Sequence, residues 1–256
     1  MSMPPVFVIN LDKSTERMAK ISKRLDELEI PFERMPAVYG ADLSQEEIDK
    51  YYCPELNKKN YRRPLGLGEI GCYMSHLRVW QAIVDRKISC AIILEDDIQF
   101  GEDFKLISGH LNAYSSDFDM VKLYAKKSNP KILTSTPITQ KHHLCVLRKI
   151  PIATPAQLVS YAGAKKLISS CIKFGRPVDV DIQHWWEADL KIFTTIPSVV
   201  TPIVGGTSDI EEQGFRKGST SFLGRIKNIS RRIKHEISLR SNNQDTVLPK
   251  IKFLDI

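Results

Sequence analysis

Glu95, Asp96 and Asp97 stand in a row directly after the apolar run Ala91-Ile92-Ile93-Leu94. Ionised carboxylates are rarely buried without partners, because stripping their hydration costs several kcal/mol or more. Three side by side repel one another and raise one another's pKa unless a cation sits among them. An all-oxygen ligand set suits a hard divalent ion, Mg²⁺ or Mn²⁺, of the kind that bridges to substrate phosphates. The run before the carboxylates has strand length, and the carboxyl ends of such strands are where open α/β sheets bind ligands. The plain alternative is an acidic turn that caps the next segment.

These acids need elements to hold them. Val6-Phe7-Val8-Ile9 is a continuous apolar run that fits a strand buried on both faces. Met18, Ile21, Leu25 and Leu28 then recur at helical spacing until Pro31. Residues 32–38 read as a second strand, and Ser44-Gln45-Glu46-Glu47 as a capping box opening a short helix. Residues 53–64 are polar, basic and proline-containing and read as a mobile loop. Ile70, Tyr73, Leu77, Trp80 and Val84 restore helical periodicity over 68–86 and lead into the strand at 90–94. Residues 120–124, 144–147, 157–160 and 191–195 read as further strands, 162–173 as a helix and 180–190 as a turn of helix. The alternation gives an α/β fold, a mostly parallel central sheet flanked by helices.

Composition narrows the options. With 256 residues, 42% of them hydrophobic, the chain suits one large domain or one domain with an appendage. No stretch approaches the roughly 18 apolar residues of a membrane span. Met-Ser-Met-Pro-Pro leads straight into the first strand, so no secretory signal is expected. Cys53, Cys72, Cys90, Cys145 and Cys171 are scattered and odd in number, which fits a reducing cytosol better than a disulfide framework or a zinc site. Cys72 and Cys90 lie in apolar runs and read as core thiols.

The net charge of +7 is uneven: residues 216–240 hold eight Lys and Arg against one Glu. The expected division is a body at 1–215 and a basic amphipathic segment at 216–256. In that segment Phe222, Ile226, Ile229, Ile233 and Ile237 recur at helical steps, with Arg225, Lys227, Arg231, Arg232 and Lys234 on the remaining arc. A narrow apolar stripe beside a basic field suits an anionic membrane surface, reached here through 219–240. Each basic residue there contributes about 1 kcal/mol. The plainer reading packs the helix on the body. Charge alone would permit nucleic-acid binding, but no aromatic interleaving or motif supports it.

Three stretches carry a family likeness. They are Val8-Ile9-Asn10-Leu11-Asp12 with Arg17; Gly68-Glu69-Ile70-Gly71-Cys72-Tyr73-Met74-Ser75-His76-Leu77 with Trp80 and Ile93-Leu94-Glu95-Asp96-Asp97; and Ser160 with Gly163-Ala164-Lys165-Lys166-Leu167 and Pro177-Val178-Asp179. Over roughly residues 6–200 the chain resembles glycosyltransferase family 25, the lipooligosaccharide galactosyltransferase group that includes collagen galactosyltransferase domains. The resemblance implies a GT-A-like domain, a UDP-sugar donor with UDP-galactose first, Mn²⁺ (or Mg²⁺) and inversion at the anomeric carbon. It further implies a lipid-linked glycan acceptor, and so a cytoplasmic enzyme held peripherally at the inner face of the inner membrane. UDP-glucose and UDP-N-acetylhexosamine are the alternative donors. Thr154-Pro155-Ala156-Gln157 departs from the family's pattern, where an aromatic is usual, and this bears on sugar specificity.

On that resemblance Asp97 is the metal ligand with Glu95 completing the site, and Glu95 and Asp96 reach ribose or sugar hydroxyls. Asn10, Leu11 and Asp12 meet uracil and ribose, Arg17 meets a phosphate, and Ser75 and His76 bind the donor or order the acidic loop. An inverting transfer needs a carboxylate to take the acceptor hydroxyl's proton. Asp179, ranked first, Asp181 and Glu187 are the candidates. Lys58, Lys59, Arg62 and Arg63 would close over the diphosphate. Trp80 reads as core, while Trp185 and Trp186 cannot share a helix face, so one faces the acceptor groove. His142 and His143 point to opposite faces of a strand and form no metal pair. Two other classes compete. A phosphoryl hydrolase would want an Asp-x-Asp-x-Thr-type loop after the first strand, which Asn10-Leu11-Asp12 does not supply. A membrane adaptor would carry an inactive α/β domain.

Overall fold

In the computed structural model the strand β1 (Val6–Asn10) sends Val6 and Val8 into one core and Phe7 and Ile9 into another. The structure describes residues 2–125, 130–203, 222–242 and 247–255, without the side chains of 222–229 and 232. The alternation recurs in β3 (Cys90–Glu95): Cys90, Ile92 and Leu94 join the first core, Ala91 and Ile93 the second. A period of two with both faces apolar makes a strand at the centre of a three-layer fold.

The remaining strands are β2 (Phe32–Pro36), β4 (Ile98–Phe100), β5 (Met120–Lys122), β6 (Ile132–Pro137), β7 (His143–Leu147), β8 (Ala156–Ser160), β9 (Ile192–Ile196) and β10 (Val200–Pro202). Eight form one sheet in the order β2-β1-β3-β8-β5-β9-β7-β6, and β4 pairs with β10 apart from it. β8 is antiparallel to β3 and β5, and β7 to β6 and β9; the other pairings are parallel. Thus all strands but β7 and β8 run one way, the mostly parallel α/β sheet that the sequence pattern implies.

Helices cover both faces. α1 (Thr15–Glu27), through Ile21 and Leu25, joins the first core, as do Phe104, Ile107 and Leu111 of a helix at Asp103–Asn112. Between these lie α2 (Gln45–Tyr51), α3 (Pro54–Asn60) and α4 (Leu67–Asp85), so the Asp103–Asn112 helix is α5. α4, with α6 (Tyr161–Ser170) and α7 (Val178–Gln183), covers the second core, where Trp80 is fully buried as expected. α8 (Phe222–Ser241) follows.

The capping box at Ser44 is present, with Ser44 Oγ accepting from the Glu47 amide. Residues 53–64 are not a mobile loop. α3 opens on Pro54, whose fixed φ suits a first helical turn. Asn57 is buried and donates to the carbonyls of Arg63 and Gly175, each at 2.9 Å. β6 carries no readable core pattern because it is an exposed edge strand. Past α8, Leu248, Ile251 and Leu254 pack on the first core, and the Leu254 amide donates to the Ile138 carbonyl. The last described residues therefore belong with the body, inside the segment that the sequence division sets apart.

Candidate active site

β1 is flanked by β2 on one side and β3 on the other, so the chain leaving β1 and the chain leaving β3 diverge at a topological switch point, where α/β sheets open a crevice. In the shared register Ile9 stands beside Glu95, which brings Asn10 level with Asp96. The third wall is α4, seated close by glycine. A Cβ on Gly71 would lie 2.5 Å from the Val38 carbonyl oxygen and 2.9 Å from the Gly40 nitrogen. One turn on, Ser75 Oγ accepts from the Val38 amide at 2.8 Å and donates to the Gly71 carbonyl at 2.7 Å. Ser75 lines the cleft, and its hydroxyl fastens α4 to the chain after β2.

The cleft encloses about 120 Å³ and is lined by Leu11, Arg17, Cys72, His76 and the three acids 95–97, among others. That is smaller than a drug-sized ligand pocket, so a nucleotide sugar would fill it with one part and lie along its rim with the rest. His76 is 1% exposed. Gln157 Nε2 donates to its Nδ1 at 3.3 Å, which leaves Nε2–H to face Glu95 Oε1 at 3.2 Å. Thr154 Oγ1 donates to the same oxygen at 2.8 Å. Burial works to raise Glu95, but His76, Thr154 and Lys122 outweigh it and hold the carboxyl below its usual value.

Asn10 is held by three partners. Its Nδ2 donates to Asp96 Oδ2 at 2.6 Å and to the Ser14 carbonyl at 3.0 Å, and its Oδ1 accepts from Arg34. Asp12 is exposed, pairs with Arg34 and does not line the cleft. Asn10 lines the cleft with its amide already engaged, whereas Asp12 turns outward. Leu11 and Arg17 do line the cleft, and Arg17 Nε stands 3.5 Å from Asp96 Oδ2.

Asp97 is pushed up to about 6, by burial first and then by Glu95 and Asp96, with Arg17 working the other way. Asp96 is raised as well, chiefly by burial. A divalent cation beside these carboxylates would relieve both the lost hydration and the repulsion, so the residues fit one. Among the described residues, the tightest group of potential ligand atoms brings in a different partner. Sγ of Cys72, a His76 nitrogen and a Glu95 oxygen all lie within 4.8 Å of one another. Cys72 is thus a cleft residue and not the plain core thiol its apolar surroundings suggest. Its spacing of four from His76 on one helix is the signal that places both on one face.

The candidate bases separate. Asp179 Oδ2 accepts from the Ala153 amide at 3.1 Å and Oδ1 from the Val180 amide at 2.8 Å. The loop 151–154 therefore holds Asp179 through Ala153 and Glu95 through Thr154. Underneath it, the fully buried Lys122 donates to the carbonyls of Pro151 at 2.6 Å and Ala153 at 2.5 Å. Burial pulls Lys122 down to about 8, with Asp179 and Glu95 resisting. Lys122 has no signal in the sequence, because it is a single polar residue among apolar neighbours, and Thr154 and Gln157 stand out only as part of the stretch 154–157 that departs from the family pattern.

Asp181 and Glu187 turn away. Arg176 Nε lies 2.6 Å from Asp181 Oδ1, Arg176 also pairs with Glu187, and Tyr73 Oη donates to Asp181 Oδ2 at 2.8 Å. None of Asp179, Asp181 and Glu187 is among the residues lining the cleft, but Asp179 alone is tied to its rim through the 151–154 loop. Two residues apart on a helix means about 200° of rotation, which is why Asp179 and Asp181 cannot share a site. Arg63 is likewise committed, in a bidentate pair with Glu69 at 2.6 and 2.9 Å, and none of Lys58, Lys59, Arg62 and Arg63 lines the cleft. Trp186 rests on His184 and on His235 of α8.

The family model described as Glycosyltransferase family 25 (LPS biosynthesis protein) matches residues 3–182. Procollagen galactosyltransferase 1-A of Xenopus laevis is 30% identical over 223 residues, covering 79% of this chain and 36% of that protein. A glycosyltransferase 25 family member of Drosophila melanogaster is 29% identical over 259 residues, covering 89% of this chain and 41% of that one. This chain therefore spans well under half the length of these curated relatives. The crystal structure of the apo-form glycosyltransferase GlyE of Streptococcus pneumoniae TIGR4 aligns with all of this chain and 66% of its own, at a TM-score of 0.40 and 10% identity. The matched span takes in all three walls of the cleft and Asp179, and by that match the chain belongs to glycosyltransferase family 25.

Proposed function

We propose that the chain is a metal-dependent, inverting hexosyltransferase that moves galactose from UDP-galactose to a sugar of a lipooligosaccharide or lipopolysaccharide acceptor. One observation carries the reading: Glu95, Asp96, Asp97 and Arg17 meet in a single cleft, and one loop ties Glu95 to Asp179. Glu95 and Asp97 would hold Mn²⁺ or Mg²⁺. Such an ion supplies Lewis-acid neutralisation of the charge that builds on a departing pyrophosphate. Arg17 adds a positive charge at the cleft wall for a phosphate, and Leu11 offers an apolar surface at the rim. Asp179 takes the proton of the acceptor hydroxyl as that oxygen attacks the anomeric carbon from the face opposite UDP. Its two backbone hydrogen bonds fix the direction of the carboxylate and leave lone pairs to receive the proton. Galactose is supported by relatives named as galactosyltransferases, and the acceptor by the family's description as an LPS biosynthesis protein.

Calorimetric titration of UDP-galactose and UDP-glucose, with and without Mn²⁺, into wild type and Asp97→Ala tests this. Metal-dependent binding that vanishes in the variant supports the donor site, and the tighter sugar identifies the donor. If neither nucleotide sugar binds folded wild type, the inactive-adaptor reading takes its place.

The same proposal includes peripheral attachment to an anionic membrane surface, on the cytoplasmic side of the inner membrane. Among the described residues no helix is long and apolar enough to cross a membrane. α8 docks on the body through Arg231, which donates to the Lys58 carbonyl at 2.6 Å, through Glu236, 2.8 Å from Arg148, and through the buried Leu239. Ile233 and Ile237 face solvent, at 54% and 56% exposure. Phe222, Ile226 and Ile229 of the expected stripe lie outside the described side chains. α8 thus packs on the body, and the exposed apolar pair it leaves on a basic helix is what supports a membrane-surface role. Co-sedimentation with anionic vesicles should fall in Ile233→Asp/Ile237→Asp, and equal pelleting of variant and wild type would remove this part.

A further inference from the structure

We propose that Cys72, His76 and Glu95 form a second cation site in the cleft, one that takes Zn²⁺. Their three ligand atoms already lie within 4.8 Å of one another. α4 supplies two of them from one face, one turn apart, and β3 supplies the third. Thiolate, imidazole and carboxylate with a fourth position open is a ligand set for zinc, whereas a hard ion prefers the oxygen-only set that includes Asp97. All three residues line the cleft, so an ion has a path to them.

The surroundings are those of a metal-bound histidine. Gln157 is fully buried against His76 Nδ1, and its Oε1 has no partner among the described residues. The His76 contact is therefore what orients its amide. Coordination through Nε2 requires the imidazole proton on Nδ1, and a half-turn of the Gln157 amide meets that proton with Oε1. The proton balance is simple. Zn–S, Zn–N and Zn–O bonds form, the His76 proton moves from Nε2 to Nδ1, and the Cys72 proton leaves to solvent. Burial first, and then Glu95, Asp179, Glu69 and Asp97, push the Cys72 thiol up, so its proton leaves only as the ion binds.

The consequence for catalysis rests on the transferase reading. Glu95 belongs to both ligand sets, so Zn²⁺ bound there competes for it with the metal that the donor uses. Zinc is then an inhibitor of donor binding, not a substitute for Mn²⁺.

Co²⁺ titrated into the full chain without nucleotide is the probe. The expected result is a near-ultraviolet thiolate-to-metal band with intense visible bands of tetrahedral Co²⁺, discharged by one equivalent of Zn²⁺. The bands should disappear in Cys72→Ser, with Zn²⁺ affinity down at least about tenfold, and persist in Asp97→Asn. Co²⁺ bound without a thiolate band, or a band unchanged in Cys72→Ser, would overturn the site and leave the transferase reading intact. A correct spectrum with Mn²⁺-dependent UDP-galactose binding indifferent to Zn²⁺ would overturn the sharing of Glu95. No binding of any divalent ion would overturn this site and the metal-dependent reading together.

Discussion

Two groups of acids, 95–97 and the pair 181/187, have opposite electrical surroundings. In the second group the Arg176 side chain is 8% exposed, stands 2.6 Å from Asp181 and also grips Glu187. Burial alone would lift Asp181 far, and Arg176 and Tyr73 limit that rise. In the first group Glu95 is held by His76 and Thr154 and Asp96 by Asn10 and Arg17, while Asp97 is driven up to about 6 by burial first and then by Glu95 and Asp96. A buried acid that already owns its cation is structure. One whose neighbours share its sign is built for a cation from outside. Asp179 belongs to neither kind, since backbone amides hold it and leave its charge available.

The sharpest way to test that contrast is to neutralise one acid of each kind. Asp179→Asn should lower turnover by about 10²–10⁴ with donor affinity little changed, as loss of a general base does. Asp181→Asn should leave most of the turnover. Steady-state kinetics beside calorimetry reads both, and an equal loss in the two variants would undo the separation of Asp179 from Asp181.

Removing the cation from the second group acts on stability. Arg176→Leu strands Asp181 in a buried position and should cost about 3–5 kcal/mol in denaturant unfolding. Adding Asp181→Asn should recover part of that. A cost under about 1 kcal/mol, typical of a surface pair, would mean that the network is ornamental.

Much of this was legible before any coordinates. Short apolar runs located β1, β3 and β8, and helical spacing located α1, α4 and α6, because those elements are buried enough for the pattern to show. β6 and α3 escaped for the opposite reason: an exposed edge strand has no apolar face to read, and a short polar helix held by the single buried Asn57 looks like a loop. At the site, the row Glu95-Asp96-Asp97 was readable because consecutive carboxylates after a strand have few structural uses. Which acids are spent was not readable. Asn10 and Asp12 find their partners at the distant Asp96 and Arg34, and Asp181 and Glu187 share the nearby Arg176 across a turn whose shape no spacing reveals.

Lys122 is the clearest case of a residue hidden in this way, and it links Glu95 with Asp179. Lys122→Met would leave the Pro151 and Ala153 carbonyls without donors, at about 1–3 kcal/mol for each buried group. It would also loosen the loop that aligns Glu95 with Asp179. Turnover should fall more than donor affinity. A folded variant with both constants unchanged would show that the loop holds its shape unaided.

The smallest expected effect is the most diagnostic, because its sign is opposite to that of most substitutions. Asp97, raised to about 6 in the fold, keeps a proton through a range where the unfolded chain, near the ordinary carboxylate value of about 4, has released it. Between those two values the native state binds more protons, so stability linked to this group falls as pH rises and stays low above about 6. Asparagine carries no such charge. Metal-free Asp97→Asn should therefore melt above wild type at pH 7.5, and the gap should close as pH drops below about 4, where the wild-type carboxyl is protonated in both states. With Mn²⁺ in hundredfold excess over its Kd the order should invert, since the ion then stabilises only the wild-type fold, by about 2.7 kcal/mol. Calorimetric melts of the two proteins at two pH values, with and without the ion, decide it. If metal-free Asp97→Asn melts no higher than wild type at neutral pH, the acids at 95–97 are not held against their own repulsion, and the electrical distinction between the two groups falls.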